Sequence, residues 1–221
     1  MKKNNNIPLL VAVTGDIGSG KSAVVTYFQK NNYHVFSADQ INHDLLEEKN
    51  IIETLTNEFG EGIITDGKVN RVVLRNLVFK NRVKLDFLNN FMHPKIIEKL
   101  FNEINNCEDP QKKKSAIIVE VPLLFESNLE TKFNLNILVV ANDNIKKQRI
   151  GNRSDIPAAF IDIIMKHQMP QEIKMQRADI IINNNLDENF LMGQIKIIEQ
   201  MIDFMVKRES TASQNEGLDT I

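Results

Sequence analysis

The chain has 221 residues, 42% of them hydrophobic and 25% charged, which suits one ordinary globular domain with room for an insertion. Its 27 basic and 29 acidic side chains nearly cancel, so the overall charge gives no reason to expect tight binding to nucleic acid. Cys107 is the single cysteine, which excludes an internal disulfide and favours a reducing, cytoplasmic environment. Since no apolar run reaches the roughly 18 residues of a membrane span, no membrane partner is expected.

The chain opens with the pattern of a βαβ unit. Residues 7–13 form a short apolar run, typical of a strand that is buried on both faces of a parallel sheet. From Lys21 the pattern changes, and Val24 and Phe28 fall on one face of a predicted helix. A second β-rich segment follows at residues 33–39, so we expect a right-handed crossover between two parallel strands.

The middle of the chain, residues 40–114, is predicted to be mostly helical. This segment is too long for a simple crossover between neighbouring strands, so we interpret it as a helical insertion or subdomain. Pro94 lies inside an amphipathic stretch, residues 83–104, and is expected to kink or restart that helix.

The second half of the chain returns to strands and helices. Strands are predicted at residues 115–125, 135–142 and 178–185, with a charged helical region between the last two. An amphipathic closing helix is predicted over residues 188–207. The polar tail at 209–221 is predicted to be disordered.

The sequence GDIGSGKS at residues 15–22 separates the first strand from the first helix. It matches the pattern of glycine, four residues, then Gly-Lys-Ser, in which glycines let successive N–H groups point at phosphate oxygens. The N-terminus of the helix adds partial positive charge. Lys21 would reach the β- and γ-phosphates, and the Ser22 hydroxyl would ligate magnesium. A glycine-rich turn that binds nothing is the alternative, which the position between strand and helix disfavours.

Asp39 lies at the end of the second predicted strand. The carboxyl ends of parallel strands face the same crevice, so this carboxylate is placed to accept the proton of an attacking hydroxyl during phosphoryl transfer. A helix also begins here, and Asp39 is an equally good candidate for its N-cap. From position alone both roles stay open.

Arg149 and Arg153 are four residues apart and share one face of a predicted helix. They would fold over the transferring phosphate and balance its charge, or they belong to a solvated basic face with Lys146 and Lys147. Glu120, inside a predicted strand, either holds a magnesium-bound water near the loop or pairs with a lysine.

Eight short segments coincide with one family. In chain order they are TGDIGSGKS, SADQINH, NRVVLRNLVF, MHPKI, VPLLFES, QRIGNR, HQMPQEIK and ADIIINNN, and they are spread over nearly the whole range from residue 11 to residue 185. In these segments the chain resembles the dephospho-CoA kinases, which carry out the last step of coenzyme A synthesis. The phosphate loop occurs in many kinases, whereas the VPLLFE run and the alanine-aspartate pair before the last strand are more particular.

The resemblance implies an α/β protein with the three-layer α/β/α architecture of P-loop kinases, built on a five-stranded parallel sheet. The nucleotide-binding core would comprise residues 1–39, 115–142 and 178–208. A helical domain that binds dephospho-CoA would comprise residues 40–114, and a lid residues 143–177. ATP and dephospho-CoA are the expected partners, magnesium is the expected cofactor, and a monomer or weak homo-oligomer is the expected state.

The resemblance also implies roles for individual residues. The expected catalytic residues are Asp39 as the base, Lys21 and Arg149. The expected ATP-binding residues are Gly15, Gly18, Ser19, Gly20, Lys21, Ser22 and Arg153, with Ser22 as the metal ligand. The expected substrate-binding residues of the helical domain are Arg71, His93 and Pro94.

Three residues depart from the family pattern. Asp16 stands where the loop commonly has glycine, and an acid is unfavourable beside phosphates unless its side chain points away. Ser37 replaces the first aspartate of an aspartate-alanine-aspartate sequence. Ile164 stands where many members have an arginine, so the lid is expected to use fewer positive charges.

Two other functions are alternatives. One is another P-loop kinase that acts on a nucleoside or nucleotide, against which the long helical insertion argues. The other is a nucleotide-dependent switch. A guanine-specific switch is expected to carry an Asn-Lys-x-Asp run after a strand, and the sequence has none.

Overall fold

The computed structural model describes residues 8–107, 116–153 and 158–215, without the side chains of residues 153–160 and 209–215. Their contacts divide the chain into two compact units, which we call the core unit (residues 1–35 and 108–221) and the helical unit (residues 36–107). Within the described ranges, no helix combines the length and the apolar character needed to cross a membrane.

The first half of the chain supplies two strands and a helix, followed by the elements of the helical unit. In order these are β1 (Leu9–Gly15), α1 (Lys21–Lys30), β2 (His34–Ser37), α2 (Ala38–Leu45), α3 (Lys49–Phe59), β3 (Ile64–Thr65), β4 (Lys68–Val69), α4 (Arg71–Val78) and α5 (Arg82–Asn105). The second half completes the core unit. Its elements are β5 (Ala116–Glu120), β6 (Leu135–Val140), α6 (Asp143–Arg153), α7 (Ala158–His167), α8 (Gln171–Arg177), β7 (Ile180–Asn183) and α9 (Glu188–Asn215).

A five-stranded sheet has its strands in the order β2, β5, β1, β6 and β7. β1 pairs in parallel with both β5 and β6, and β6 pairs in parallel with β7. The predicted five-stranded parallel sheet is confirmed. Because these strands run in the same direction, the residues that follow β1, β6 and β7 emerge at the same edge of the sheet.

The core unit is held together by an apolar cluster around this sheet. Val11, Ile118 and Ile137 of the central strands are completely buried, as the continuous apolar runs of a parallel sheet require. Phe28 of α1 and Ile195 of α9 are also completely buried in the same cluster. The position of β1, the strand that leads to the phosphate loop, is therefore fixed by packing against the neighbouring strands and helices.

Two tyrosines connect the α1 region to α9. The Tyr33 hydroxyl donates a hydrogen bond to Asp203 Oδ1 at 2.8 Å, and the Tyr27 hydroxyl donates to Glu199 Oε2 at 2.6 Å. Because both hydroxyls are paired, the aromatic rings are packed without leaving an unsatisfied polar group.

The helical unit packs mainly around α5, which contacts α2 and α4. The rings of Phe59 and Phe87 meet edge to face at 5.7 Å, and those of Phe87 and Phe91 stack at 6.1 Å. An ion pair of 2.9 Å joins Lys99 of α5 to Glu48.

A small hairpin, β3 and β4, also lies in the helical unit and was not predicted. Asp66 and Gly67 have φ values of 52° and 74°, and a type I′ turn requires positive φ at both central residues. The Asp-Gly pair is the signal for this turn in the sequence. Strands of two residues each are too short to show a periodic pattern.

Two local predictions are wrong in part. Of the kink or restart predicted at Pro94, the restart does not occur, because α5 continues through Pro94 as one helix. α9 extends to Asn215, so residues 209–215 are helical and not disordered. The remainder of the predicted tail lies outside the described residues.

Candidate active site

The phosphate loop connects β1 to α1, and its backbone depends on glycine. Gly18 and Gly20 have φ values of 77° and 101°, in the left-handed region that residues with a Cβ seldom adopt. Gly20 is the N-cap of α1 and has no side chain to cover the end of the helix. The N-terminal N–H groups of α1 therefore face the loop, which is the arrangement that binds phosphate.

The rest of the core unit lies directly against these glycines. A Cβ on Gly18 would lie 2.6 Å from the carbonyl oxygen of Lys146 in α6. A Cβ on Gly20 would overlap the side-chain amide of Asn184, just after β7. Close packing therefore requires glycine at both positions, in addition to the backbone conformation.

Lys21 is the first residue of α1, and its ammonium group lies on the loop. Nζ donates to the carbonyl oxygens of Gly15 at 2.8 Å and Asp16 at 3.1 Å. Ser22 follows and is exposed. Magnesium takes hard oxygen ligands and usually keeps several waters beside phosphate oxygens, so a single hydroxyl at this position fits the ion. Within the described part of the chain, no group of three or more His, Cys, Asp or Glu residues is arranged to hold a metal by itself.

Asp16 lies in a buried ion cluster. Its Oδ2 accepts from Lys146 Nζ at 2.7 Å, and its Oδ1 accepts from Lys174 Nζ at 2.9 Å. Lys146 also pairs with Asp143 at 2.8 Å, and Lys174 pairs with Glu126 at 2.6 Å. Two buried lysines thus share three carboxylates, and both carboxylate oxygens of Asp16 bind these lysines.

Asp16 and Lys146 of this cluster stay charged across the neutral pH range. Burial alone would raise the pKa of Asp16, but the hydrogen bonds and charges of Lys146 and Lys174 outweigh it and hold that pKa below its ordinary value. Burial lowers the pKa of Lys146, yet hydrogen bonds to Asp143 and Asp16 outweigh this and raise it. The stability from Asp16 is therefore lost only as the pH falls through its lowered pKa, and that from Lys146 only as the pH rises through its raised pKa.

Gln168, Arg149 and Asn184 bind the backbone of the loop. Gln168 Oε1 accepts from the Ile17 N–H at 3.0 Å, and Arg149 Nη1 donates to the Ser19 carbonyl at 3.2 Å. Asn184 Nδ2 donates to the same carbonyl at 2.8 Å, and Arg149 Nη2 donates to the Asn184 carbonyl at 3.0 Å. Ser19 is completely buried, so its hydroxyl does not line the open side of the loop.

The basic residues of α6 have different environments. Arg149 contacts the loop, whereas the side chain of Arg153 lies outside the described part of the structure. Lys146 is buried, so the alternative in which it belongs to a solvated basic face is wrong. Lys147 is half-exposed and pairs with Asp162 of α7 at 2.7 Å.

Ser37 caps α2, and Asp39 does not. Ser37 Oγ accepts from the Gln40 N–H at 3.4 Å, and Asp39 is an exposed residue of the first helical turn. The alternative in which Asp39 is the N-cap is therefore wrong. Ser37, which departs from the family pattern, has a local role as the cap.

The expected substrate-binding residues all lie in the helical unit. Arg71 is the exposed first residue of α4, and Pro94 is exposed on α5. Burial lowers the pKa of the neighbouring His93, so its ring is neutral at pH 7 and offers a hydrogen bond in place of a charge.

An open cavity of about 690 Å³ lies in the same unit. Its walls combine apolar side chains such as Leu45 and Ile51 with charged ones such as Lys95 and Glu98. Arg71, His93 and Pro94 do not line it. The cavity and the expected substrate-binding residues are thus separate features of the helical unit.

Sequence reasoning missed several residues that touch the loop. Gln168, Lys174 and Asn184 lie in segments that carried the family resemblance, but nothing in those segments shows that they reach the loop. Asp16 and Lys146 are 130 residues apart, and local pattern cannot pair residues at that distance.

A family model for dephospho-CoA kinase matches residues 9–189. The chain belongs to the dephospho-CoA kinase family. It is 36% identical over 190 residues to the dephospho-CoA kinase of Fusobacterium nucleatum subsp. nucleatum, covering 85% of this chain and 95% of that protein. It is 34% identical over 194 residues to the dephospho-CoA kinase of Bartonella quintana, covering 87% and 98% of the two chains.

Two solved structures are similar over most of the chain. TT1252 from Thermus thermophilus has a TM-score of 0.73 and 29% identity, covering 88% of this chain and 97% of that one. The dephospho-CoA kinase from Campylobacter jejuni has a TM-score of 0.63 and 27% identity, covering 87% and 96%. These comparisons confirm the kinase family and the fold expected from the sequence.

Replacing Gly18 tests the packing of the loop. Gly18→Ala places a Cβ against the Lys146 carbonyl and forces alanine into the left-handed region, so we expect the free energy of unfolding to fall by about 2 kcal/mol or more. Gly151→Ala is the matched control, because Gly151 lies in α6 with open space around its Cβ. This control should gain up to about 1 kcal/mol from helix propensity. Urea unfolding measures both variants, and equal effects would contradict the packing argument.

Proposed function

We infer that this chain transfers the γ-phosphoryl group of ATP to the 3′-hydroxyl of the ribose of dephospho-CoA, giving coenzyme A and ADP. The observation that carries this proposal is the family match over residues 9–189, which spans both units. It is supported by a phosphate loop between β1 and α1, whose glycines pack closely against β6, α6 and Asn184. The single cysteine and the near-neutral charge are consistent with a cytoplasmic enzyme that acts on small molecules.

Phosphoryl transfer depends on positioning and on neutralising charge more than on covalent chemistry. In this proposal the loop N–H groups and Lys21 hold the β- and γ-phosphates, and Ser22 supplies a ligand to magnesium. When bound, magnesium would offset part of the negative charge of the phosphates. Arg149 would balance the charge that develops on the transferring group, since it already lies on the loop carbonyls.

Asp39 is proposed as the base that orients the ribose hydroxyl and accepts its proton. Its position in the first turn of α2, directly after β2, supports this role. So does the assignment of the N-cap to Ser37, which removes the competing explanation for an acid at this position. Arg71, His93 and Pro94 are proposed to bind dephospho-CoA on the helical unit.

Residues 143–177 are proposed to contain the lid that excludes water from the reaction. Lys146 and Ile150 of α6 pack against Gly18, and Gln168 holds the Ile17 N–H. Both ends of the segment are therefore anchored to the loop. We expect closure to move α7, which lies between these two anchors.

A coupled assay of ADP release tests the proposed reaction. With ATP and magnesium, we expect turnover with dephospho-CoA and background turnover with adenosine, AMP or pantetheine phosphate. A nucleoside or nucleotide kinase would use adenosine or AMP. Equal turnover with AMP and dephospho-CoA would contradict the proposal.

Asp39→Asn tests the base. We expect kcat to fall by about 10²- to 10⁴-fold, the usual contribution of general base catalysis, with ATP affinity retained. Asp44→Asn is the matched control and should leave kcat unchanged. Asp44 lies on the same helix and accepts a hydrogen bond from Gln40. Near-normal turnover of Asp39→Asn would show that another group accepts the proton.

Arg149→Ala tests the expected role of this arginine in catalysis. We expect kcat to fall by about 100-fold, as for the loss of one donor to the transition state, with a smaller change in the KM for ATP. Gln148→Ala removes an exposed neighbour on the same helix and should have no effect. Unchanged kcat with a lowered melting temperature would instead identify Arg149 as a purely structural residue.

A further inference from the structure

The acid in the phosphate loop joins three elements of the core unit. Asp16 follows β1, and it binds Lys146 of α6 and Lys174 of α8. Asp16 is 7% exposed, Lys146 is 2% exposed and Lys174 is completely buried. These contacts connect residues that are 130 and 158 positions apart in the chain. The position of the first turn of the loop is thus tied to both helices.

The backbone of Asp16 holds the rest of the loop. Its carbonyl oxygen accepts from Lys21 Nζ at 3.1 Å and from the Ser19 N–H at 3.1 Å. The following N–H, of Ile17, donates to Gln168, which precedes α8. A shift of the Asp16 side chain would therefore move the carbonyl group to which Lys21 is bound.

We propose that Asp16 is a positioning residue, which fixes the first turn of the phosphate loop and Lys21 in their ATP-binding arrangement by binding Lys146 and Lys174. The proposal rests on the proposed function to the extent that ATP is the ligand of the loop. Asp16 acts through the loop backbone, because both oxygens of its carboxylate are bound by the two lysines.

A simple charge argument predicts the opposite result. If Asp16 only added negative charge beside the phosphates, its removal would strengthen ATP binding. If it positions the loop, its removal weakens ATP binding. Asp16→Asn separates the two cases. Lys146 keeps Asp143 and Lys174 keeps Glu126 as a partner, so each buried lysine retains a carboxylate and the variant is expected to fold.

The test compares ATP binding by isothermal titration calorimetry with the KM values of both substrates. For Asp16→Asn we expect the Kd for magnesium-ATP to rise about tenfold, as for the loss of one hydrogen bond to a charged group, with the KM for dephospho-CoA unchanged. Asp203→Asn is the matched control, because Asp203 accepts a hydrogen bond from Tyr33, which follows the end of α1 that lies away from the loop. This variant should leave the Kd unchanged.

Unchanged or tighter ATP binding by Asp16→Asn would overturn the proposal, and an unchanged Kd with a lower melting temperature would show a purely structural ion pair. If Asp16→Asn does not fold, Lys146→Met should weaken ATP binding in its place.

Where both variants fold, the double variant should bind ATP no more weakly than the worse single variant, because both substitutions remove the contact between Asp16 and Lys146. Additive losses would overturn the proposal. Failure of the wild-type protein to bind ATP would instead overturn the proposed function.

Discussion

The site depends on close contact between the phosphate loop and the elements around it. A Cβ on Gly15 would overlap the Val139 carbonyl of β6, one on Gly18 would meet α6, and one on Gly20 would overlap Asn184 after β7. These supports reach the loop because β6 and β7 run parallel to β1 and end at the same edge of the sheet. The strand order therefore constrains the loop sequence, because glycine is needed at each position where a neighbouring strand or helix approaches the loop backbone.

The same close packing explains why charges are buried beside the loop. Lys146 and Lys174 lie where α6 and α8 meet the loop, and burying an unpaired ammonium group is costly. Asp16, Asp143 and Glu126 offset that cost locally, but desolvation cancels much of the gain from a buried ion pair. We therefore infer that the cluster fixes the geometry of the loop more than it stabilises the folded protein. Its lysines are occupied by carboxylates, which is in line with the proposal that residues such as Lys21 and Arg149 bind the phosphates.

The sequence predicted the elements of the core well because continuous apolar strands and a glycine-rich turn are local signals. Of the kink or restart that it predicted at Pro94, the restart is wrong, because packing of α5 in the helical unit overrides the local preference of proline to end a helix. It left Asp39 between two roles, and only the Ser37 hydrogen bond decides which residue caps α2. The partners of Asp16 could not be predicted, since the pairing depends on helices that are distant in the chain.

Lys21 and Arg149 are two of the cations proposed to bind ATP, and both already have partners in the loop. Lys21 donates to the carbonyls of Gly15 and Asp16, and Arg149 donates to those of Gly18 and Ser19. An ammonium group has three N–H donors and a guanidinium group has five, so contact with a phosphate does not require either cation to give up all of these hydrogen bonds. Where a phosphate oxygen does replace a carbonyl, the gain in free energy is the difference between two hydrogen bonds, which is larger because the new acceptor is charged. The loop carbonyls therefore hold both cations beside the proposed phosphate site, and we expect the affinity for phosphate to depend on how accurately the loop backbone is placed.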